Sequence, residues 1–159
     1  VAPNNPTGKF AADAIMATAK STAATGGIML IDGAFTMPRA ADPAAGDLLD
    51  ALAAFPHVVH LRSFGKFFGM AGLRLGFAIG APARIEQLQQ RVGPWAVSSV
   101  ALDIGSTALK DTAWQAQHGD FLRQQTEQLQ MVLTRANLTI LGGTALFQND
   151  SDQQGAPPS

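Results

Sequence analysis

The chain has 159 residues, 47% hydrophobic and 14% charged, with a formal net charge of -1. That length and apolar content suit a globular domain with a real core, and the near-zero charge gives no basic field for nucleic acid or an anionic membrane, so neither is expected as a partner. No apolar run approaches the roughly 20 residues of a membrane span, no leader pattern opens the sequence, and the lack of cysteine removes disulfide and thiolate chemistry; a soluble, cytoplasmic protein is expected.

The sequence opens on Pro3-Asn4-Asn5-Pro6-Thr7-Gly8, a loop with no initiator methionine and almost no strand before it, as in an excerpt of a longer chain. From Thr7, read as the N-cap, Ala11, Ala12, Ile15, Met16, Ala19 and Ala23 share one helical face up to the stop at Gly26-Gly27. Residues 28–31 are continuously apolar, the pattern of a parallel strand covered on both faces, and Asp32 stands at its end. Pro38 and Pro43 mark an irregular connection. Leu48, Leu49, Leu52 and Phe55 then give a short helix before a second strand at Val58, Val59 and Leu61. Strand, helix, strand in this order implies a crossover in an α/β sheet.

Residues 58–80 hold the chemistry. Ser63 and Lys66 fall on the loop leaving the carboxyl end of the second strand, where α/β sheets bind ligands. Arg74 opens another apolar run, residues 75–79, and its guanidinium can return to that loop. Gly65, Gly69, Gly72 and Gly76 leave room for close approach. Phe64, Phe67 and Phe68 would strip water from the Lys66 ammonium, easing its deprotonation. Ser-x-x-Lys also opens acyl-serine enzymes, but their Ser-Asp-Asn and Lys-Thr-Gly partners are missing. Neither a phosphate-binding Walker loop nor a Gly-x-Gly-x-x-Gly site is present. His57 and His60, read as pointing to opposite strand faces, and His118 form no metal constellation and are taken as ordinary polar histidines.

Beyond this, Pro82 starts a helix with Ile85, Leu88 and Val92 on one face, ended by Gly93-Pro94. Val97, Val100, Ala101, Ile104 and Ala108 define the next helix, and Leu122, Leu129, Val132, Leu133 and Ala136 a longer one. After Phe147 no large apolar residue remains.

Asn4-Asn5-Pro6-Thr7-Gly8, Asp32-Gly33-Ala34-Phe35, Ser63-Phe64-Gly65-Lys66 and Gly72-Leu73-Arg74-Leu75-Gly76, in that order, resemble the fold-type I pyridoxal-phosphate enzymes of the class I/II aminotransferase family. The wording of residues 63–78 is most similar to the family's threonine-phosphate decarboxylase branch, with histidinol-phosphate aminotransferases close by. The resemblance implies an α/β fold: part of a large domain with a mostly parallel sheet and helices on both faces, plus the start of a small α+β domain. It implies residues 1–93 as the C-terminal half of the cofactor domain and residues 94–147 as an interdomain helix and the small domain's beginning, with residues 138–141 its first strand. Residues 148–159 are expected to be a disordered or truncated tail.

The same resemblance implies the site. Lys66 would hold pyridoxal 5'-phosphate covalently and move protons, and Asp32 would pair with the pyridine nitrogen. Asn5 would donate to the ring's phenolic oxygen, Ala34 would pack under the ring, and Ser63 and Arg74 would grip the phosphate. One departure matters: the family's aspartate motif usually ends in tyrosine, here it ends in Phe35, and the chain contains no tyrosine. The implied reaction is decarboxylation of L-threonine O-3-phosphate by a homodimer, with amino transfer, or an inactive truncated remnant, as alternatives. Arg91, Arg123 and Arg135 do not match the family's carboxylate-binding arginine.

Overall fold

The computed structural model describes residues 1–152. In chain order the elements are α1 (Ala12–Ala24), β1 (Met29–Asp32), α2 (Pro43–Leu52), β2 (Val58–Ser63), β3 (Gly76–Gly80), α3 (Pro82–Val92), α4 (Ser99–Lys110), α5 (Thr112–Arg135), β4 (Leu138–Thr144) and β5 (Phe147–Asp152). A 3-10 turn, Ala71–Leu73, separates β2 from β3. The first three strands form one sheet in the order β1-β2-β3, and the last two form a separate antiparallel hairpin. β1 and β2 run parallel with Met29 opposite Val58 and Asp32 opposite Leu61, as expected of two strands joined through a helix, and β3 returns antiparallel to β2.

Local chemistry sets most boundaries. Asp42 caps α2 by accepting the Ala45 N–H at 3.3 Å, with Pro43 at the first helical position, so Pro43 starts a helix where an irregular connection was expected. Phe55 lies beyond that helix. Ser98 and Asp111 cap α4 and α5 in the same way. Thr7 does not cap α1: its hydroxyl donates to Asn4 Oδ1 at 2.8 Å, and the helix begins at Ala12. Gly8 has a φ of +69°, which turns the chain out of a helical path between Thr7 and that start.

Two apolar clusters hold the elements. In one, Ala19 of α1, Leu48 and Leu52 of α2, Ile31 of β1 and Val58 of β2 meet under a single face of the sheet. In the other, Phe64, Leu75 and Ala101 pack directly beneath the Ser63–Arg74 segment. The apolar run at residues 28–31, expected to be covered on both faces, is covered on one among the described residues: Leu30 is 65% exposed. The apolar stripe read on α4 is covered in part: Ala101 is buried against Phe64 and Leu75 with Val97 and Ala108 packed beside it, while Val100 and Ile104 stay exposed. On α5, Gln115 and Gly119 face inward, Gly119 lying against Ala41, and Leu129 and Val132 of the expected stripe face outward. Of the expected tail, residues 148–152 form β5 against β4, because a backbone ladder does not require apolar side chains. Residues 153–159 lie outside the described residues.

Candidate active site

Ser63 is the last residue of β2 and not, as expected, part of the following loop; its Oγ accepts the Gly65 N–H at 2.9 Å, leaving its own proton free to donate. The next residues close into a compact turn, with Met70 N–H on Phe64 O at 2.9 Å and Gly69 N–H on Lys66 O at 3.0 Å. Arg74 ends the 3-10 turn in a left-handed conformation, φ 54°, and its Nη1 donates to Ala71 O at 3.4 Å. Ser63, Lys66 and Arg74 thereby line one cavity of about 350 Å³ with Gly65, Ala71, Leu75 and Gly76. Two cations and a hydroxyl, with no carboxylate in the lining, form a donor set suited to a phosphate. A Cβ at Gly65 would stand 3.2 Å from Ser63 Oγ, inside the space a ligand oxygen would use.

The surroundings of Lys66 differ from the sequence expectation. Phe64 and Phe67 are 1% and 2% exposed and turn inward, whereas Lys66 is exposed on the other side of the chain. The aromatic ring that its ammonium meets is Phe35, with Nζ 5.2 Å from the centroid. Consecutive residues of the turn point opposite ways, so the phenylalanines anchor the turn and do not enclose the amine.

Asp32 ends β1 beside Leu61, and its Oδ1 accepts the Ala34 N–H at 2.9 Å, which shapes the Asp32–Phe35 turn. Asn5 is exposed in the first loop and lines no cavity with Lys66 among the described residues. That loop is nevertheless tied to the site: Ala2 N–H donates to Asp32 O at 2.8 Å, and Thr36 Oγ1 donates to Ala2 O at 2.7 Å. The structure therefore brings Ser63, Lys66 and Arg74 together, reaches the Ala34-Phe35 turn through Phe35, and leaves Asp32 and Asn5 on adjoining segments.

Two residues of this region escape sequence reasoning. Arg62, between Leu61 and Ser63, donates Nη2 to Thr36 O at 2.8 Å and so joins the Asp32–Phe35 turn to β2; burial pulls its guanidinium below its ordinary value. Its one signal in the sequence is a formal charge directly after the run at residues 58–61. His60 is 5% exposed and its Nδ1 has no hydrogen-bond partner. Burial pushes its imidazole down to about 4, helped by the Arg62 charge and opposed by Asp32. His57 is buried too, its Nε2 donating to Ala19 O at 2.8 Å, so neither is the ordinary polar histidine expected.

The sequence matches the aminotransferase class I and II family over residues 1–151. The chain belongs to that family. It is 37% identical over 157 residues to a threonine-phosphate decarboxylase of Pseudomonas aeruginosa, covering 98% of this chain and 46% of that protein. A Sinorhizobium threonine-phosphate decarboxylase is 40% identical over 154 residues, covering 92% of this chain and 43% of the relative. The chain thus spans less than half the length of these curated relatives. A solved histidinol-phosphate aminotransferase from Sinorhizobium meliloti, in complex with pyridoxal-5'-phosphate, superposes with a TM-score of 0.72 at 22% identity, over 91% of this chain and 39% of that one. This likeness shows the shared α/β fold, as the motif resemblance implied.

Proposed function

We propose that this chain is the cofactor-lysine portion of a pyridoxal-phosphate enzyme that decarboxylates L-threonine O-3-phosphate. The observation that carries the reading is the convergence of Ser63, Lys66 and Arg74 on one cavity at the carboxyl end of β2. Identity of 37% and 40% to threonine-phosphate decarboxylases supports the substrate class.

Pyridoxal phosphate, when bound, supplies an electrophilic carbon and a ring that accepts the electron pair left by a breaking bond at the substrate's α-carbon. Arg74 would present its planar fork to the phosphate, and Ser63 would donate its free hydroxyl proton to the same group. Lys66 Nζ would hold the cofactor's carbon and, once the substrate amine displaces it, carry a proton to or from the substrate. Phe35 gives that amine an apolar floor and keeps water from one side of it. Asp32, with Oδ1 engaged by Ala34 N–H, would use its other oxygen to hold a proton on the pyridine nitrogen. Asn5 would donate to the phenolic oxygen, and Ala34 would pack against the ring.

The reading extends to a cytoplasmic homodimer acting on a phosphorylated amino acid, and to a division between residues 1–93 and 94–147. Separate sheets on either side of that boundary support the division, and the exposed apolar residues of α4 and α5 support a larger assembly.

Borohydride reduction of the protein at its encoded length, followed by peptide mapping, is expected to leave a pyridoxyl group on Lys66; finding it on Lys9, Lys20 or Lys110 would overturn the assignment. Incubation with labelled O-phosphothreonine is expected to release carbon dioxide without a keto acid. Product formed only with 2-oxoglutarate, with glutamate accumulating, would make the protein an aminotransferase. Failure to bind cofactor at all would make it an inactive remnant.

A further inference from the structure

We propose that His118, on α5, is a positioning residue for Lys66, holding the Lys66 turn in place through the carbonyl of Phe67; this rests on the reading of Lys66 as the cofactor lysine. His118 Nε2 lies 3.1 Å from Phe67 O. A carbonyl can only accept, so Nε2 carries the proton and donates it. The contact joins α5 to the residue immediately after Lys66, in the middle of the turn that the Gly69 N–H closes on Lys66 O.

The imidazole is also one ring of a near-parallel stack. Phe64 and Phe68 lie 4.2 Å apart at 10°, Phe68 and Trp114 5.9 Å at 15°, and Trp114 and His118 4.6 Å at 13°. Phe67 meets this stack edge-on, at 74° to His118, 77° to Trp114 and 88° to Phe68. Its ring is clamped by the stack and its carbonyl by His118. Lys66 leaves the chain on the opposite side, so the seating of Phe67 determines where Nζ stands over Phe35. Stacking alone would be served by any aromatic residue; the hydrogen bond requires a donor at this place on the ring.

Two substitutions separate these contributions in the protein at its encoded length. His118→Phe keeps a stacking ring and removes the donor, and His118→Gln keeps a donor and removes the ring. For His118→Phe, pyridoxal phosphate is expected to bind about three- to tenfold more weakly, the loss of one hydrogen bond, with thermal stability held by the ring. For His118→Gln the cofactor affinity is expected to stay within about twofold of the parent, while thermal stability falls. The part of the tryptophan emission that Trp114→Phe removes is expected to change on cofactor addition, because Trp114 touches both the turn and His118. Unaltered cofactor affinity in His118→Phe, equal weakening in both variants, or Trp114 emission indifferent to cofactor overturns the proposal. If His118→Phe does not fold, His118→Leu is set beside His118→Gln, both lacking the ring: affinity at least about threefold weaker in Leu than in Gln upholds the proposal, and any smaller difference overturns it. Borohydride labelling of the parent keeps the two readings apart, since a parent unlabelled at Lys66 refutes the lysine assignment, whereas a labelled parent with an unaffected Phe variant refutes only the role of His118.

Discussion

Arg74 combines a guanidinium on the cavity with a left-handed backbone that costs a residue other than glycine on the order of 1 kcal/mol. On the proposed phosphate role of Arg74, function and local stability pull against each other at this position. Arg74→Gly is expected to keep or raise thermal stability while weakening pyridoxal phosphate binding by tenfold or more, since charge-assisted hydrogen bonds are worth about 1.5–3 kcal/mol. Equilibrium dialysis beside a thermal melt tests both halves, and unchanged affinity would remove Arg74 from the phosphate site. His60 gives a pH signature. Its value in the folded protein, about 4, lies below the ordinary 6.5, so between those values the unfolded chain binds the extra proton. Stability should fall as pH falls through that window, by as much as about 3 kcal/mol from this residue. Denaturant titrations at pH 7 and pH 4 are expected to show a smaller difference for His60→Leu than for the parent; equal differences would mean that His60 is not buried in its neutral form.

Between elements, the contact that sets the start of α1 lies far away in sequence. A Cβ at Gly8 would overlap the Gly143 carbonyl of β4, and one at Gly142 would overlap the Thr7 carbonyl, so the first loop and the hairpin meet backbone to backbone. Gly26 has a nearly identical φ, +67°, but faces open space. Gly26→Ala is thus expected to cost about 1 kcal/mol, the backbone penalty alone, and Gly8→Ala at least about twice that. Equal losses in chemical denaturation would mean that the loop and the hairpin do not touch in solution. This pair also shows what was legible in the sequence. Ser63, Lys66 and Arg74 could be read together because one turn joins them, and β1 and β2 because each is a short apolar run with breakers beside it. Thr7 looked like a cap because its local chemistry permits one; a meeting with Gly143 leaves no local mark. Phe35 under Lys66, Arg62 on Thr36 and His118 on Phe67 are likewise encounters across the fold. The stripe on α5 misled, and that on α4 held only for Val97, Ala101 and Ala108, because periodicity gives a helix two faces without saying how much of either is covered.

Across the whole molecule, the sheet ends on β1 at one side and β3 at the other among the described residues. Neither edge strand carries a lysine or a proline. β1 presents Leu30 at 65% exposure with Ile28 beside it, and β3 presents Ile79 at 51%. Short strands limit the hazard at each edge, and β1 borders a groove in which Val59 and Leu88 of α3 are joined by Arg84, Gln87 and Arg91. α4 and α5 add Val100, Leu102, Met131 and Val132 to the exposed apolar surface. Unpaired strand edges beside exposed apolar faces favour pairing between chains. The 159-residue chain, expressed alone, is therefore expected to self-associate, and its cofactor absorbance should not survive dialysis, since an ill-defined assembly cannot hold Ser63, Lys66 and Arg74 at one spacing. Leu30→Lys, which puts a charge on the β1 edge, should reduce the association without restoring the cofactor. Sedimentation velocity reads the first expectation and absorbance after dialysis the second. A monodisperse monomer that retains cofactor absorbance, lost in Lys66→Ala, would show that these edges are harmless and that the 159-residue chain forms a self-sufficient site.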